Sequence, residues 1–432
     1  MQDAMHFLNS HGSTMAMSRK VCTPWLRVVG IGDSGLDGLS KEARELISTA
    51  EIVIGGKRHL SLMPKTAQEH IVWPSPISIL LNKLTEFRGT KTCVLATGDP
   101  MCYGIGASLC KAFPIQEMII LPSPSALSLA CARMGWPHQD VELVTLHGRP
   151  LAILRGYLQP LAKIVVLSND ENSPREVAEL LTEQGFGNSQ ITVLEHMGGS
   201  SERCIEGIAR SWSEKPGAGF NTIAIEILSS PETVLVTRHP GLEDDLFIND
   251  GMLTKKEVRA ITLSALQPYP GSLLWDVGAG SGSVGIEWMR LSPRSLAIAI
   301  EEDVNRAATI VKNANQLGTP KLQVINAHAP ECLLSLPRPN AIFIGGGIAT
   351  KGLFDQCWES LQEGGCLVTN VVTIEGEEIL TQKQAQLGGS VTKITISKSE
   401  PLGKYRGWRS QMPVTQLRLF KNLGERNQIN ES

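Results

Sequence analysis

No apolar run in the 432-residue chain approaches the roughly 18 residues needed to cross a bilayer. The first 24 residues also lack the apolar stretch of a signal peptide, so a membrane or secretory role is not expected. Nine cysteines, at 22, 93, 102, 110, 131, 204, 332, 357 and 366, include no Cys-x-x-Cys pair. Their odd number and scatter argue against a disulfide framework and against a structural zinc site. The expectation is reduced thiols in a cytoplasmic protein that holds no metal. Aromatic residues are few, 5%, and the formal net charge is −3, so no broad basic field draws the chain to nucleic acid. No repeat of 20–50 residues appears, which excludes a solenoid or propeller.

What is present is a long alternation of short apolar runs and amphipathic segments, the pattern of parallel β-α-β units. Runs at 26–32, 52–54, 92–96 and 118–121 read as strands, with helices over 40–50, 104–112 and 125–134. A strand over 163–167, a helix over 173–184 and strands at 191–195 and 221–228 follow, the last two separated by a turn-rich stretch. Between 229 and 250 lies a polar segment rich in Pro and Asp, the best place for a domain boundary. The alternation then restarts and closes with a helix over 374–386 and strands at 391–397 and 414–420. The expected divisions are an N-terminal extension over 1–24, expected to be disordered, and domains over 25–236 and 237–425.

The sharpest local signal is Leu273-Leu-Trp-Asp-Val-Gly-Ala-Gly-Ser-Gly-Ser-Val-Gly, a strand that ends in glycines and opens a helix. Glycines there let a ligand approach the backbone and the free N–H groups of the helix start. The spacing of Gly280, Gly282 and Gly285 also fits a dinucleotide loop, so NAD competes with S-adenosylmethionine. Asp276, expected to face a cationic amino group, and Glu301 after the next strand, expected to grip ribose hydroxyls, favour S-adenosylmethionine. With the glycine loop, the segments P-G-L-E-D-D-L-F (240–247), L-T-K-K-E-V-R-A (253–260), A-I-E-E (299–302), N-A-H-A-P (326–330) and F-I-G-G-G (343–347) resemble the decarboxylating, C15-methylating subunit family of corrin biosynthesis. That resemblance implies a Rossmann-like class I methyltransferase domain. It places Thr254, Gly278, Ala279, Gly280, Ser281, Gly282, Glu301 and Ala329 around the methyl donor, with Lys255 and Arg259 as candidate anchors for a substrate carboxylate.

The first half also carries a glycine string, Gly30-Ile-Gly-Asp-Ser-Gly, weak by itself. Together with Ala96-Thr-Gly-Asp-Pro, Tyr103-Gly-Ile-Gly and Leu146-His-Gly-Arg, it is similar to the tetrapyrrole methylase family, nearest its C5-methylating branch. The resemblance implies a two-lobed class III fold. It assigns Gly32, Gly98, Asp99, Tyr103 and Ser125 to the cofactor, although Pro122-Ser-Pro-Ser-Ala departs from the P-G-x-S-S of many relatives. Asp99 reads first as a cofactor-facing acid, with a turn-forming Asp-Pro as the alternative, and His147 reads equally as a proton shuttle or a polar group at a strand end. Arg149 is either a carboxylate anchor or a surface arginine.

The two resemblances in this order imply an α/β enzyme with one S-adenosylmethionine site per domain. It would methylate precorrin-6Y at C5 and C15, decarboxylate the C12 acetate side chain and release precorrin-8X for cobalamin biosynthesis. The expected partner is a small tetrapyrrole, with neither nucleic acid nor membrane, and the expected assembly a homo-oligomer. The alternatives are a ribosomal RNA methyltransferase of the same superfamily and an NAD-dependent oxidoreductase.

Overall fold

The computed structural model describes residues 24–64, 67–74, 78–213, 215–292 and 294–421. The expected N-terminal extension, apart from Pro24, and the last residues of the expected second domain lie outside them. The chain separates into two compact units. One comprises Met1–Gln139, Val193–Ile205 and Phe220–Thr222, the other Asp140–Thr192, Glu206–Gly219 and Ile223–Ser432. Among the described residues no helix is long and apolar enough to cross a membrane.

Strands β1 (Leu26–Ile31), β2 (Ile52–Gly55), β3 (Glu69–Val72), β4 (Thr92–Thr97) and β5 (Met118–Leu121) form a parallel sheet in the order β3-β2-β4-β1-β5. All six residues of β1 are buried, because helices cover both faces of the sheet. Val28 packs with Leu109 and Phe113 on one face. Its neighbour Val29 points the other way, toward Ala43 and Ile47 of the helix Lys41–Ser48. Ser40 caps that helix by accepting the Ala43 N–H at 3.1 Å.

A second sheet holds β6 (Val141–Thr145), β7 (Lys163–Leu167), β8 (Gln190–Glu195), β9 (Arg203–Ile208) and β10 (Asn221–Glu226) in the order β6-β7-β10-β8-β9.

The third sheet is built from β11 (Leu273–Val277), β12 (Leu296–Glu301), β13 (Gln323–Asn326), β14 (Ala341–Ile344), β15 (Cys366–Val371), β16 (Ser390–Ile394) and, after a separate exposed hairpin of β17 (Ser397–Leu402) and β18 (Tyr405–Ser410), β19 (Val414–Phe420). Its order is β13-β12-β11-β14-β15-β19-β16, with β13 to β15 parallel and β19 antiparallel to both neighbours. Leu274 and Trp275 point to opposite faces and seed two separate cores. The strand order reverses between β11 and β14, so the carboxyl ends there form the crevice in which ligands bind in open sheets.

The connection ahead of this sheet is tied down inside the second unit. The Val236 carbonyl accepts from Gln159 Nε2 (2.9 Å) and Arg290 Nη2 (2.8 Å), and Arg290 also bonds the Thr237 carbonyl at 3.0 Å. Arg238 reaches Glu142 at 2.8 Å and the Gly156 carbonyl at 3.2 Å.

Candidate functional site

At the switch between β11 and β14 lies a cavity of about 780 Å³. Its floor is bare backbone. Gly278 and Gly280 hold φ of +68° and +58°, a conformation that disfavours any side chain. A Cβ on Gly280 would sit 2.7 Å from the Met252 carbonyl oxygen, and one on Gly278 3.1 Å from the Gly346 nitrogen. Thr254, Lys255, Ala279, Glu301 and Ala329 line the same space, as do Gly345–Gly347. Glu301, at the end of β12, accepts the Gly280 N–H at 2.8 Å through Oε2 and the Asp303 N–H at 3.1 Å through Oε1. These bonds fix the carboxylate against the glycine loop, leaving its remaining lone pairs for hydroxyl donors. Arg306 and His328 also line the cavity, and sequence reasoning missed both. Arg306 donates to Asp250 at 2.8 Å, while a hydrogen bond with Glu331 raises the His328 pKa. Their positions in the helix after β12 and in N-A-H-A-P, both next to motifs already noted, were the available signal.

Four expectations are corrected here. Asp276 does not face the cavity: it is 1% exposed, and Oδ2 accepts the Gly285 N–H at 2.9 Å at the start of the helix Ser283–Leu291. Burial pushes its carboxyl up to about 7, against the weaker pull of that hydrogen bond. Arg259 is no substrate anchor, because its side chain is fully buried. Its guanidinium binds Glu287 (2.6 Å), Asp244 (3.2 Å) and the carbonyls of Thr254 and Leu242. Glu287 in turn accepts the N–H groups of Gly241 and Leu242, so Arg259 clamps the segment before its helix. Ser281 is buried and off the cavity, and a Cβ on Gly282 would meet Ile310 at 2.6 Å, so that glycine serves helix packing.

In the first unit the ends of β1 and β4 close together. A Cβ on Gly30 would lie 1.9 Å from the Gly98 oxygen and 2.6 Å from the Ser123 nitrogen. The Ser123 hydroxyl donates to the Gly30 carbonyl at 2.7 Å. Gly98 holds φ +56°, with Pro124 O 2.9 Å from where a Cβ would be. Gly32 is open by comparison, with only Ser34 Oγ near, at 3.9 Å. Asp99 Oδ1 accepts the Met101 N–H at 2.8 Å, the Asx turn that Asp-Pro favours. Tyr103 is half exposed at φ +53°.

Ser125, expected at the cofactor, is buried and caps the helix Ala126–Met134 by accepting the Ser128 N–H at 3.1 Å. That is the structural duty of its hydroxyl. His147 and Arg149 belong to the second unit, at the end of β6. His147 is exposed, while Arg149 is half-buried and adds to the burial that lowers the Lys321 pKa.

Sequence reasoning passed over a polar cluster beside these glycines. Asp33 accepts from Arg58 at 2.8 Å and from His196 Nδ1 at 2.8 Å. Arg58 continues to Thr97 Oγ1 at 3.3 Å, and His59 Nε2 meets the same oxygen at 2.9 Å. Burial, reinforced by the Arg58 charge, pushes the His59 pKa down to about 4, so this ring is neutral. Asp33 and Arg58-His59 each follow a glycine run, a signal that was in view. His196 lies 163 residues from its partner and gave none.

Comparisons with known proteins bear on both halves. Residues 26–211 match the family model of tetrapyrrole (corrin/porphyrin) methylases, and residues 245–421 that of a precorrin methyltransferase domain. A decarboxylating precorrin-6Y C(5,15)-methyltransferase from a Sinorhizobium species is 44% identical over 92% of this chain and 96% of its own length. One of the same name from Mycobacterium tuberculosis is 40% identical over 91% of this chain and 99% of its own. Among solved structures, the C-terminal domain of precorrin-6Y C5,15-methyltransferase from Rhodobacter capsulatus is 42% identical, covers 43% of this chain and all of that one, and has a TM-score of 0.41.

Proposed function

The chain belongs to the family of decarboxylating precorrin-6Y C(5,15)-methyltransferases, and from that premise we propose that it methylates precorrin-6Y at C5 and C15 and decarboxylates it. Membership decides between the readings that the glycine spacing left open: this is a methyltransferase of the tetrapyrrole methylase and class I types in tandem. The observation that carries the substrate is identity running through both halves on one chain, 44% over 92% of its length. We place C5 methylation in residues 25–236, and C15 methylation with loss of the C12 acetate carboxyl in residues 237–425, giving precorrin-8X.

Methyltransferases of these families use S-adenosylmethionine, and we assign one site to each half. The residues of the large cavity fit it: a backbone floor with no room for Cβ atoms, and an acid fixed beside that floor at the end of the second strand of the crevice. When bound there, it supplies a methyl group made electrophilic by the sulfonium charge. Gly278 to Gly280 would admit it to the backbone, Glu301 would accept its hydroxyl donors, and Thr254 and Ala329 would flank it. Apolar walls from Val277, Ile300, Phe343 and Val414 exclude water, which would otherwise weaken every polar contact inside. Lys255 and Arg306 at the same cavity are cations suited to orienting a polycarboxylate ring. In the first half we assign the cofactor to Gly32, Gly98, Asp99 and Tyr103. The reading includes a cytoplasmic homo-oligomer with a small-molecule substrate, and neither nucleic acid nor membrane.

Purified protein supplied with S-adenosylmethionine and precorrin-6Y tests this by mass: two methyl gains and one carbon dioxide loss per substrate are expected. Titration calorimetry should return two donor molecules per chain. A single methyl gain without decarboxylation, or binding without turnover, would refute it.

A further inference from the structure

We propose that His196, oriented by Asp33, is the proton acceptor for the methylation at C5, an assignment that rests on the function read above. Three strand ends converge on it. Asp33 lies two residues beyond β1, Thr97 closes β4, and His196 is the first residue after β8. The Asp33 carboxylate is shared: Oδ2 takes the His196 Nδ1–H at 2.8 Å, and Oδ1 takes Arg58 Nη1 at 2.8 Å. Arg58 is itself braced, with its guanidinium 4.3 Å from the centre of the Phe220 ring and a bond to Thr97. The carboxylate therefore cannot swing away without breaking both of these hydrogen bonds.

With Nδ1 committed as donor, the neutral ring carries its lone pair on Nε2. Among the described residues nothing bonds that nitrogen, and the His196 side chain is 32% accessible where that of Asp33 is 15%. A carboxylate behind one imidazole nitrogen, with the other nitrogen left unbonded, is the arrangement that makes histidine an effective general base. The backbone is bent to provide it. His196 sits at φ +48°, a left-handed conformation that strains a non-glycine residue. Gly199 passes so close that a Cβ would lie 2.7 Å from Asp33 Oδ2. His59, only one residue from Arg58, is the contrasting case: half-buried, its Nε2 engaged by Thr97, it is an anchor and not a base.

The chemistry requires such a group. Methylation of a ring carbon bearing one hydrogen uses a π pair of the macrocycle to form the C–CH3 bond, while the S–CH3 bond breaks with its pair left on sulfur. The carbon then carries both hydrogen and methyl. Conjugation returns when His196 Nε2 takes that proton and the C–H pair re-enters the ring. The Asp33 carboxylate balances the imidazolium, and nothing is oxidised or reduced.

Full-length H196Q and D33N, supplied with precorrin-6Y and a 13C-methyl donor that separates the two methyl gains, test the assignment. H196Q should lose C5 methylation by about 100-fold or more, the scale of a removed general base, with donor binding within twofold of wild type. In D33N the pH-dependent limb of the C5 rate should move. The His196 ring signals, followed by NMR over the same pH range in donor-free protein, should move with it. A purely structural ion pair would leave that limb in place. C5 methylation within threefold of wild type in H196Q, or an unmoved limb in D33N, overturns the proposal. Should H196Q not fold, the wild type decides: the pH limb and the His196 titration coincide, or the assignment falls. Wild-type protein that binds donor yet gains no methyl overturns the functional reading itself.

Discussion

Among the described residues no cation bonds the buried carboxyl of Asp276. Burial lifts its pKa from 3.8 to about 7, and at 1.36 kcal/mol per pH unit that displacement is on the order of 4 kcal/mol. The folded protein binds this proton more tightly than the unfolded chain does. Stability from this group is therefore complete below about pH 4, falls as pH rises toward 7 and stays low above it. Asp276→Asn keeps the shape and can still accept the Gly285 N–H, but it removes the charge. Calorimetric melting of wild type and D276N across pH 4 to 9 should show the two nearly matched at the acid end. D276N should gain by as much as about 4 kcal/mol above pH 7. A D276N protein less stable than wild type by the same margin at every pH would contradict this, because the ionised carboxylate would then itself be a stabilising partner.

Three further perturbations follow from the packing. Gly30→Ala drives a Cβ into Gly98 O and Ser123 N, so the first unit should lose about 3 kcal/mol or more; thermal melting and loss of C5 methylation would check it. Gly280→Ala adds a left-handed alanine and a 2.7 Å contact with Met252 O. About 1–2 kcal/mol of strain predicts 5- to 30-fold weaker donor binding at the large cavity by calorimetry, with C5 methylation unaffected. Arg259→Met abandons the buried Glu287 carboxylate and should cost about 3–5 kcal/mol. Arg259→Lys should recover only part of this in chemical denaturation, since a point charge cannot replace the four-way guanidinium contact.

The parallel strands were legible because burial on both faces leaves unbroken apolar runs such as Leu26–Ile31 and Ala341–Ile344. The hairpin of β17 and β18 was not. Its residues Ser-Lys-Ser-Glu-Pro-Leu and Tyr-Arg-Gly-Trp-Arg-Ser are almost all exposed, so no face writes a period into the sequence. Val141–Thr145 was missed because it is short and half-buried, without a distinct pattern. At the cavity, the glycines and Glu301 could be read since their chemistry depends on residue type and order along the strand. Asp276 and Arg259 could not, because a sequence displays a charge without its direction. Both charges turned inward to hold backbone. The Asp33–His196 pair needed the fold itself, which brings two strand ends 163 residues apart to 2.8 Å.

The connection through Val236, Thr237 and Arg238 is where the two halves would be cut apart for separate study, since its composition is that of a linker. Four side chains or carbonyls from residues 142–159 and Arg290 grip it instead. A fragment ending at 236 would leave Glu142 without Arg238, and one starting at 237 would keep Arg290 but lose the Val236 carbonyl it holds. Failure of either fragment to express would then report a severed anchor, not a missing fold. Dissecting the two methylations by inactivating one half within the intact chain avoids that confusion.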